Sequence, residues 1–154
     1  MRIIYWRRSL WGSLIFLSLQ TAYPQTPVNS MEGFWLEPSG GIIHVATCKD
    51  RLCARIVAFD NDKGVFVDVN NEDPSLRSRS LCNLELGTGF RVVDASHAED
   101  GSIYDPKTGK TYRAVLTQEG GTLRLRGYVG IKLFGRTEVW RRVASPNKFC
   151  VTRR

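Results

Sequence analysis

The sequence has few of the residue patterns that build metal sites and nucleophilic active sites. Its two histidines, His44 and His97, stand in neither HxxxH nor HExxH spacing, and its four cysteines include no CxxC pair. No serine lies in a nucleophile-elbow pattern, and no stretch completes a dinucleotide or phosphate fingerprint. We therefore predict no metal and no cofactor. A carboxylate can still act as a general base, so catalysis is not excluded.

Long apolar runs are also scarce. The longest spans residues 10–19, follows the basic residues Arg2, Arg7 and Arg8, and precedes Gln20-Thr21-Ala22. A membrane-spanning helix needs about 20 apolar residues, so a transmembrane anchor is the weaker interpretation. The pattern is typical of a secretory signal peptide. We predict a signal peptide at residues 1–22, a periplasmic or secreted protein, and no integral membrane segment after cleavage.

The charge balance does not favour a nucleic-acid partner. The formal net charge is +7, but three arginines belong to the predicted leader, and the remaining 19 basic and 15 acidic side chains give +4. These charges are interspersed and form no basic stripe. The remaining length of about 130 residues is typical of one domain. We predict that domain over residues 31–143, followed by a basic tail at residues 144–154.

Two segments show the alternation of a half-buried β-strand. In residues 111–117, Tyr112, Ala114 and Leu116 share one face. In residues 122–128, Leu123 and Leu125 face one way, whereas Arg124 and Arg126 face the other. A period of two predicts strands, because helical spacing would distribute these residues around the helix.

Turn residues separate these segments into short strands. Asp105-Pro106-Lys107-Thr108-Gly109 has the composition of a tight turn, and Glu119-Gly120-Gly121 that of a hairpin connection. Gly87-Thr88-Gly89 is interpreted as a strand-end turn. Residues 68–79 are rich in Asp and Asn and predict one long loop. The pattern predicts an all-β sandwich or small barrel.

The cysteines fit an oxidising compartment. Strands at residues 42–48 and 53–59 would meet through the four residues between Cys48 and Cys53, placing these cysteines opposite each other. We predict a disulfide between Cys48 and Cys53. Cys82 and Cys150 could pair by elimination, but four cysteines allow three connectivities, and Cys150 could be free in a mobile tail.

Several motifs together resemble the bacterial domain-of-unknown-function family DUF2147 over roughly residues 33–143. They are Gly33-Phe34-Trp35, the Cys48 and Cys53 pair with Ala54-Arg55-Ile56-Val57, residues 70–79, Ile103-Tyr104-Asp105-Pro106 with Gly109-Lys110-Thr111-Tyr112, and residues 126–130 through 134–136 to Trp140. The resemblance implies an exported protein with a small antiparallel up-and-down β-barrel, lipocalin- or calycin-like, with one long loop. It implies no established activity. The chain departs from the family at Ala54, where glycine is expected, and at Ala58-Phe59, where tryptophan is expected.

The shared residues have both a binding and a structural interpretation. Arginine suits an anionic head group, and tyrosine suits a pocket mouth. The candidate ligand-binding residues are Arg77, Arg79, Tyr104, Asp105, Tyr112, Arg126 and Tyr128. The structural alternative is that Asp105 caps a turn, the tyrosines pack across strands, and the arginines pair with Glu72, Asp73 or Asp105 to hold the long loop.

Three functions follow, in order of preference. The first is a non-catalytic barrel that binds a small apolar or amphipathic molecule. The second is a structural or interaction protein of the cell envelope with a filled barrel. The third is an envelope hydrolase that uses Asp105 or another carboxylate. An open cavity would favour the first over the second.

Overall fold

The structure, a computed structural model, describes residues 30–60 and 66–150. Within these residues, eight antiparallel strands form a closed barrel in which each strand pairs with its sequence neighbours. They are β1 (Gly33–Leu36), β2 (Gly41–Cys48), β3 (Arg51–Phe59), β4 (Glu85–Asp94), β5 (His97–Asp105), β6 (Lys110–Glu119), β7 (Thr122–Tyr128) and β8 (Arg136–Val143). The predicted up-and-down barrel is confirmed, whereas the predicted signal peptide lies outside the described residues.

Pairing between the first and last strands closes the barrel. Phe34 is opposite Val143, and Trp35 is opposite Arg142. Closure satisfies the backbone of both edge strands, which would otherwise offer unpaired groups to other chains. Two short 3-10 helices, Pro74–Leu76 and Lys132–Phe134, interrupt the connections. No helix in the described part of the chain is long and apolar enough to cross a bilayer.

The alternation seen in the sequence places the predicted residues in the core. Ala114 and Leu116 of β6 are buried, as are Leu123 and Leu125 of β7, whereas Arg124 is exposed. The bounds of β7 coincide with the predicted segment. The two-residue connection Gly120-Gly121 joins β6 to β7, with Gly120 at a φ of 55°.

The two ends of the barrel differ in packing. Fully or almost fully buried side chains fill the end that carries the β2–β3, β4–β5 and β6–β7 turns: Met31, Trp35, Val45, Leu52, Phe90, Ala98, Leu116 and Leu123. We call this the closed end. The opposite end carries the β1–β2, β5–β6 and β7–β8 connections, and we call it the open end. Burial of large apolar side chains at the closed end stabilises the fold.

Arg142 and Trp35 hold the chain across the closed end. The guanidinium carbon of Arg142 lies 4.0 Å from the centroid of the Trp35 ring, a cation–π geometry. Arg142 also donates hydrogen bonds to the carbonyl oxygens of Glu32 and Ser30. Trp35 Nε1 donates to Met31 O at 2.9 Å. The segment before β1 is therefore fixed over the base of the barrel.

The β2–β3 turn is tighter than the sequence suggests. β3 begins at Arg51, so the turn has two residues, and Lys49 adopts a φ of 61°. Cys48 pairs with Arg51, and Cys53 pairs with Ala46. The prediction that the cysteines lie directly opposite was therefore wrong. They are diagonal neighbours on one face, at disulfide distance, with Cα atoms 5.8 Å apart.

Gly87-Thr88-Gly89 also differs from its prediction. These residues lie inside β4 and not at a strand end. Gly89 has a φ of 76°, and the β3–β4 register shifts beside it. The glycines therefore mark an irregularity within the strand. Glycine inside a strand commonly marks such a bulge or irregularity.

The described part of the long loop, which begins at residue 66, docks on the β5–β6 turn. Val67 forms a bridge with Ser80, and the side-chain Nδ2 of Asn70 donates to the carbonyls of Pro106 and Lys107, each at 3.2 Å. Gly109 has a φ of 71°, and a Cβ there would lie 1.9 Å from Asn70 O. A glycine is therefore required where the loop contacts the turn.

Cys82 and Cys150 are neighbouring free thiols, both half-buried. The Cys150 amide donates to Val57 O at 2.6 Å, and the Phe149 ring packs edge-on to Phe34, so the tail returns to the barrel wall. Burial, together with the Cys82 thiol beside it, raises the pKa of Cys150 to about 12.

Replacement of Gly109 by alanine tests how the loop docks. We expect Gly109→Ala to reduce the free energy of unfolding by roughly 3 kcal/mol, because the methyl group clashes with a backbone carbonyl. Gly120→Ala is the matched control: its φ is also positive, at 55°, but no atom lies within 4 Å of a Cβ. Gly120→Ala should reduce the free energy of unfolding by only about 1 kcal/mol, because alanine is strained in the left-handed conformation. Equal losses in urea denaturation would contradict this account.

The reactivity of Cys150 tests the position of the tail. Because the thiolate is the nucleophile, its raised pKa should slow alkylation by iodoacetamide at pH 8 by about a hundredfold or more relative to the unfolded chain. Peptide mass spectrometry after native and denaturing alkylation measures this ratio. Equal rates in both states would show that the tail is detached.

Candidate functional site

The open end of the barrel contains a cavity of about 1030 Å³. This volume is at the upper end of the range for small-molecule sites. Its inner wall is formed by apolar side chains from strands around the barrel and by Leu81 of the β3–β4 connection: Ile43, Ile56, Leu81, Leu86, Ile103, Leu125 and Trp140. Gly127 also faces inward, since a Cβ there would contact Ile103 and Tyr112. The packed closed end forms the floor.

The last strand carries charged residues on its inner face. Leu125 pairs with Glu138, Leu123 with Trp140, and Gly127 with Arg136, so Arg136, Glu138 and Trp140 share the face of the inward leucines. Trp140 Nε1 donates to Glu138 Oε2 at 2.9 Å. The indole is thus fixed in the cavity wall, and one glutamate is directed to the mouth.

Opposite charges meet at the mouth of the cavity. Lys107 Nζ lies 3.3 Å from Glu138 Oε1 and 3.6 Å from Glu37 Oε2. Burial lowers the pKa of Lys107, but the two glutamates outweigh burial, and the pKa is raised. Lys107 therefore remains charged and links the β5–β6 turn to β8 and to the β1–β2 turn. The link is half-exposed to solvent, so its contribution to stability is small.

Asp105 is engaged within its own turn. One carboxylate oxygen accepts from the Lys107 amide at 2.9 Å, and the other accepts from Thr108 Oγ1 at 3.0 Å. Thr108 Oγ1 also lies 3.3 Å from the Tyr112 hydroxyl. This is the turn-capping arrangement expected of an aspartate before a tight turn. It also places the Tyr112 hydroxyl at the mouth.

A buried carboxylate holds the long loop against the barrel. Asp68 is fully buried and accepts from the Tyr104 hydroxyl at 2.6 Å, Asn71 Nδ2 at 2.7 Å and Arg79 Nε at 2.8 Å. The guanidinium of Arg79 also lies 5.1 Å from the centroid of the Tyr104 ring. These bonds satisfy a charge that would be costly to bury alone.

The pKa values follow from this geometry. Burial on its own raises the pKa of Asp68, but hydrogen bonds from Tyr104 and Asn71, and the hydrogen bond and charge of Arg79, outweigh it, so the pKa is lowered. Burial and the nearby carboxylate raise the pKa of Tyr104. At neutral pH the tyrosine is therefore a hydroxyl donor and Asp68 an anion.

The structure brings four of the seven candidate binding residues to the cavity. Tyr104, Asp105, Tyr112 and Tyr128 line it. Tyr128 is almost fully buried, with the Arg113 guanidinium 5.6 Å from its ring centroid.

The three candidate arginines lie outside the cavity lining and contact loops. Arg77 Nε donates to Asn71 O at 2.8 Å, and Arg79 pairs with Asp68. Arg126 donates to Lys132 O, Leu133 O and Thr137 Oγ1. Their partners are not Glu72, Asp73 or Asp105, the acids proposed from the sequence.

Sequence reasoning missed the charged residues at the mouth: Glu37, Lys107, Arg136 and Glu138. Alternation along β8 was a usable signal, because Arg136, Glu138 and Trp140 are spaced by two. Glu37 and Lys107 lie in turns, where no periodic pattern indicates which way a side chain points.

One group of potential metal ligands occurs in the described part of the chain: Cys48, Cys53 and Glu85, whose ligand atoms lie within 4.8 Å of one another. The two sulfurs are at disulfide distance from each other. A bonded pair offers no thiolate to a metal, so this group could hold one only after reduction.

Comparison with known proteins gives a family and a fold. A family model described as "Uncharacterized protein conserved in bacteria (DUF2147)" matches residues 33–142. No curated protein sequence matches the chain. A solved structure of protein HP1028 from the human pathogen Helicobacter pylori, described as belonging to the lipocalin family, is similar with a TM-score of 0.67 and 19% identity. The similarity covers 76% of this chain and 84% of that one.

Replacement of Asp68 tests the buried network. Asp68→Asn should reduce the free energy of unfolding by about 2 kcal/mol at neutral pH, because Arg79 loses its charged partner. Tyr104→Phe should reduce it by about 1 kcal/mol, because one hydrogen bond is lost. The pKa of Asp68 is depressed in the fold, so its contribution is present above the unfolded pKa and is lost as pH falls through the folded value. The wild-type advantage over Asp68→Asn should shrink below about pH 4. A constant difference in denaturation experiments from neutral to acidic pH would refute this role.

Proposed function

Because this chain belongs to the bacterial DUF2147 family and folds as a lipocalin-like barrel, we propose that it binds a small apolar or amphipathic molecule without catalysing a reaction. The observation that carries the proposal is the cavity of about 1030 Å³ with an apolar wall and a polar mouth. Such a surface favours a ligand whose apolar body is buried and whose polar end is hydrated.

The charged groups at the mouth indicate which kind of polar end the ligand carries. Three anions, Glu37, Asp105 and Glu138, outnumber two cations, Lys107 and Arg136, and the hydroxyls of Tyr104 and Tyr112 add neutral groups. We therefore favour an uncharged or zwitterionic polar end over a strongly anionic one. Tyr104, Asp105, Tyr112 and Tyr128 are the proposed contact residues. We assign Arg77, Arg79 and Arg126 to positioning of the loops around the mouth.

The open cavity favours this function over the alternatives. A structural protein with a filled barrel has no need for an apolar void, which forgoes packing contacts. A hydrolase using Asp105 would need that carboxylate to take up and release a proton, but both its oxygens accept hydrogen bonds within the turn.

We also propose that the protein is exported. The support is the leader-like pattern of residues 1–22 together with Cys48 and Cys53 at disulfide distance, which fits an oxidising compartment.

Filling the cavity tests the binding proposal. A Cβ at Gly127 would meet its nearest neighbours at 3.6 and 3.7 Å, which is ordinary contact, so Gly127→Phe should direct its ring into the cavity without breaking the strand. With N-phenyl-1-naphthylamine as a fluorescent apolar probe, we expect binding to weaken at least about tenfold.

Gly121→Phe is the matched control, since Gly121 lies in the β6–β7 turn at the closed end, with no atom within 4 Å of a Cβ. It should leave probe binding unchanged. Native mass spectrometry of protein purified from its host should show bound mass that is absent after denaturation. Failure of the wild-type protein to bind the probe or any co-purified molecule would overturn the proposal, as would undiminished binding by Gly127→Phe.

A further inference from the structure

The connection between β7 and β8 exposes an unusual amount of apolar surface. We call residues 129–135 the rim loop. Within six consecutive residues, the exposed fractions are 74% for Val129, 57% for Ile131, 75% for Leu133 and 79% for Phe134. Scattered apolar residues on a surface are normal, but a contiguous cluster of this kind indicates an interaction site.

Arg126 holds the rim loop in this exposed conformation. Its guanidinium donates to Lys132 O at 2.8 Å, to Leu133 O at 2.9 Å and to Thr137 Oγ1 at 2.9 Å. Turn hydrogen bonds from Phe134 to Ile131 and from Gly135 to Lys132 add internal order. The apolar side chains are therefore displayed by a fixed backbone whose carbonyls have partners, a requirement for entering a non-aqueous environment.

The charges near the rim loop are mainly positive. Residues 126–137 include Arg126, Lys132 and Arg136 and contain no acidic residue, and the next residue, Glu138, is paired with Lys107. The nearest carboxylate bound by the loop is Glu99, which lies 3.0 Å from Lys132 Nζ and also pairs with Arg91. The combination of exposed apolar side chains with flanking cations is typical of segments that bind at the interface of an anionic bilayer.

The rim loop is continuous with the mouth of the cavity. Val129 and Phe134 line the cavity entrance, as do Val67 and Val69 of the long loop, which are 39% and 50% exposed. The apolar surface of the loop therefore reaches the entrance of the cavity at Val129 and Phe134. A partner that offers apolar chains at an anionic surface matches both features.

We propose that the rim loop docks the open end of the barrel on an anionic phospholipid bilayer. Ile131, Leu133 and Phe134 enter the boundary between head groups and acyl chains, while Lys132 and Arg136 extend to the lipid phosphates. Docking rests on the loop itself. Exchange of a ligand between bilayer and cavity rests, in addition, on the proposed function.

Vesicle sedimentation with the purified protein tests docking. The vesicles contain equal amounts of phosphatidylcholine and phosphatidylglycerol, with pure phosphatidylcholine as the comparison. We expect binding to the anionic vesicles that weakens as salt is raised, because screening reduces the attraction of the cations. The double substitution Leu133→Ser, Phe134→Ser should reduce the partition coefficient at least about tenfold.

A control double substitution removes exposed apolar surface elsewhere on the barrel. Val92→Ser with Val93→Ser alters two residues of β4 near the closed end that are 40% and 49% exposed, and it should leave vesicle binding unchanged. Arg126→Lys should weaken binding, because a single ammonium cannot reproduce the three guanidinium hydrogen bonds. Equal losses for the two double variants would overturn the proposal. So would a wild-type protein that does not bind anionic vesicles at low salt.

The filled-cavity variant separates docking from ligand binding. Gly127→Phe should lose the naphthylamine probe and still sediment with anionic vesicles. Loss of probe binding alone in Leu133→Ser, Phe134→Ser, with vesicle binding intact, would contradict docking through this loop.

Analytical ultracentrifugation without lipid provides a further check. If the rim loop instead joins two copies of the chain, the wild-type protein will be a dimer that the double variant dissociates, and that result would also overturn the proposal.

Discussion

The contact between Arg142 and Trp35 is the constraint on which the rest of the barrel depends. A sheet of eight strands can close only if its first and last strands meet in register, and this pair joins β1 to β8 while the guanidinium also binds the segment before β1. Closure gives every strand two neighbours. With the base fixed and packed, the open end can remain hollow, because the closed end supplies the buried area that the cavity lacks.

The parts of the fold that could be predicted are those in which local chemistry and tertiary structure agree. Alternation in β6 and β7 reports burial directly, since each strand has one face toward the interior. The β2–β3 turn shows the limit. Lysine has no preference for the left-handed conformation that Lys49 adopts, so the shorter turn was missed, and with it the diagonal position of Cys48 and Cys53. The motif resemblance, rather than periodicity, distinguished a barrel from a sandwich.

The candidate site was predictable only in part, for a related reason. The tyrosines were identified because they belong to the motifs shared with the family and because tyrosine suits a pocket mouth. The arginines lie outside the cavity lining, and their partners could not be predicted because Arg77 and Arg126 bind backbone carbonyls, which carry no sequence signature. Glu37 and Glu138 are 101 positions apart in the chain and meet Lys107 only after closure. Long-range pairing of this kind is a product of topology and cannot be inferred from any single segment.

The two tryptophans in the described residues occupy different parts of the barrel, and this separates two optical signals. Trp35 lies in the packed base, under a guanidinium, whereas Trp140 forms part of the cavity wall and is bonded to Glu138. Indole emission depends on local polarity and on nearby quenching groups. A molecule entering the cavity changes the surroundings of Trp140 alone, whereas unfolding changes those of both residues. The protein thus contains its own internal reporters, one for occupancy and one for the integrity of the fold.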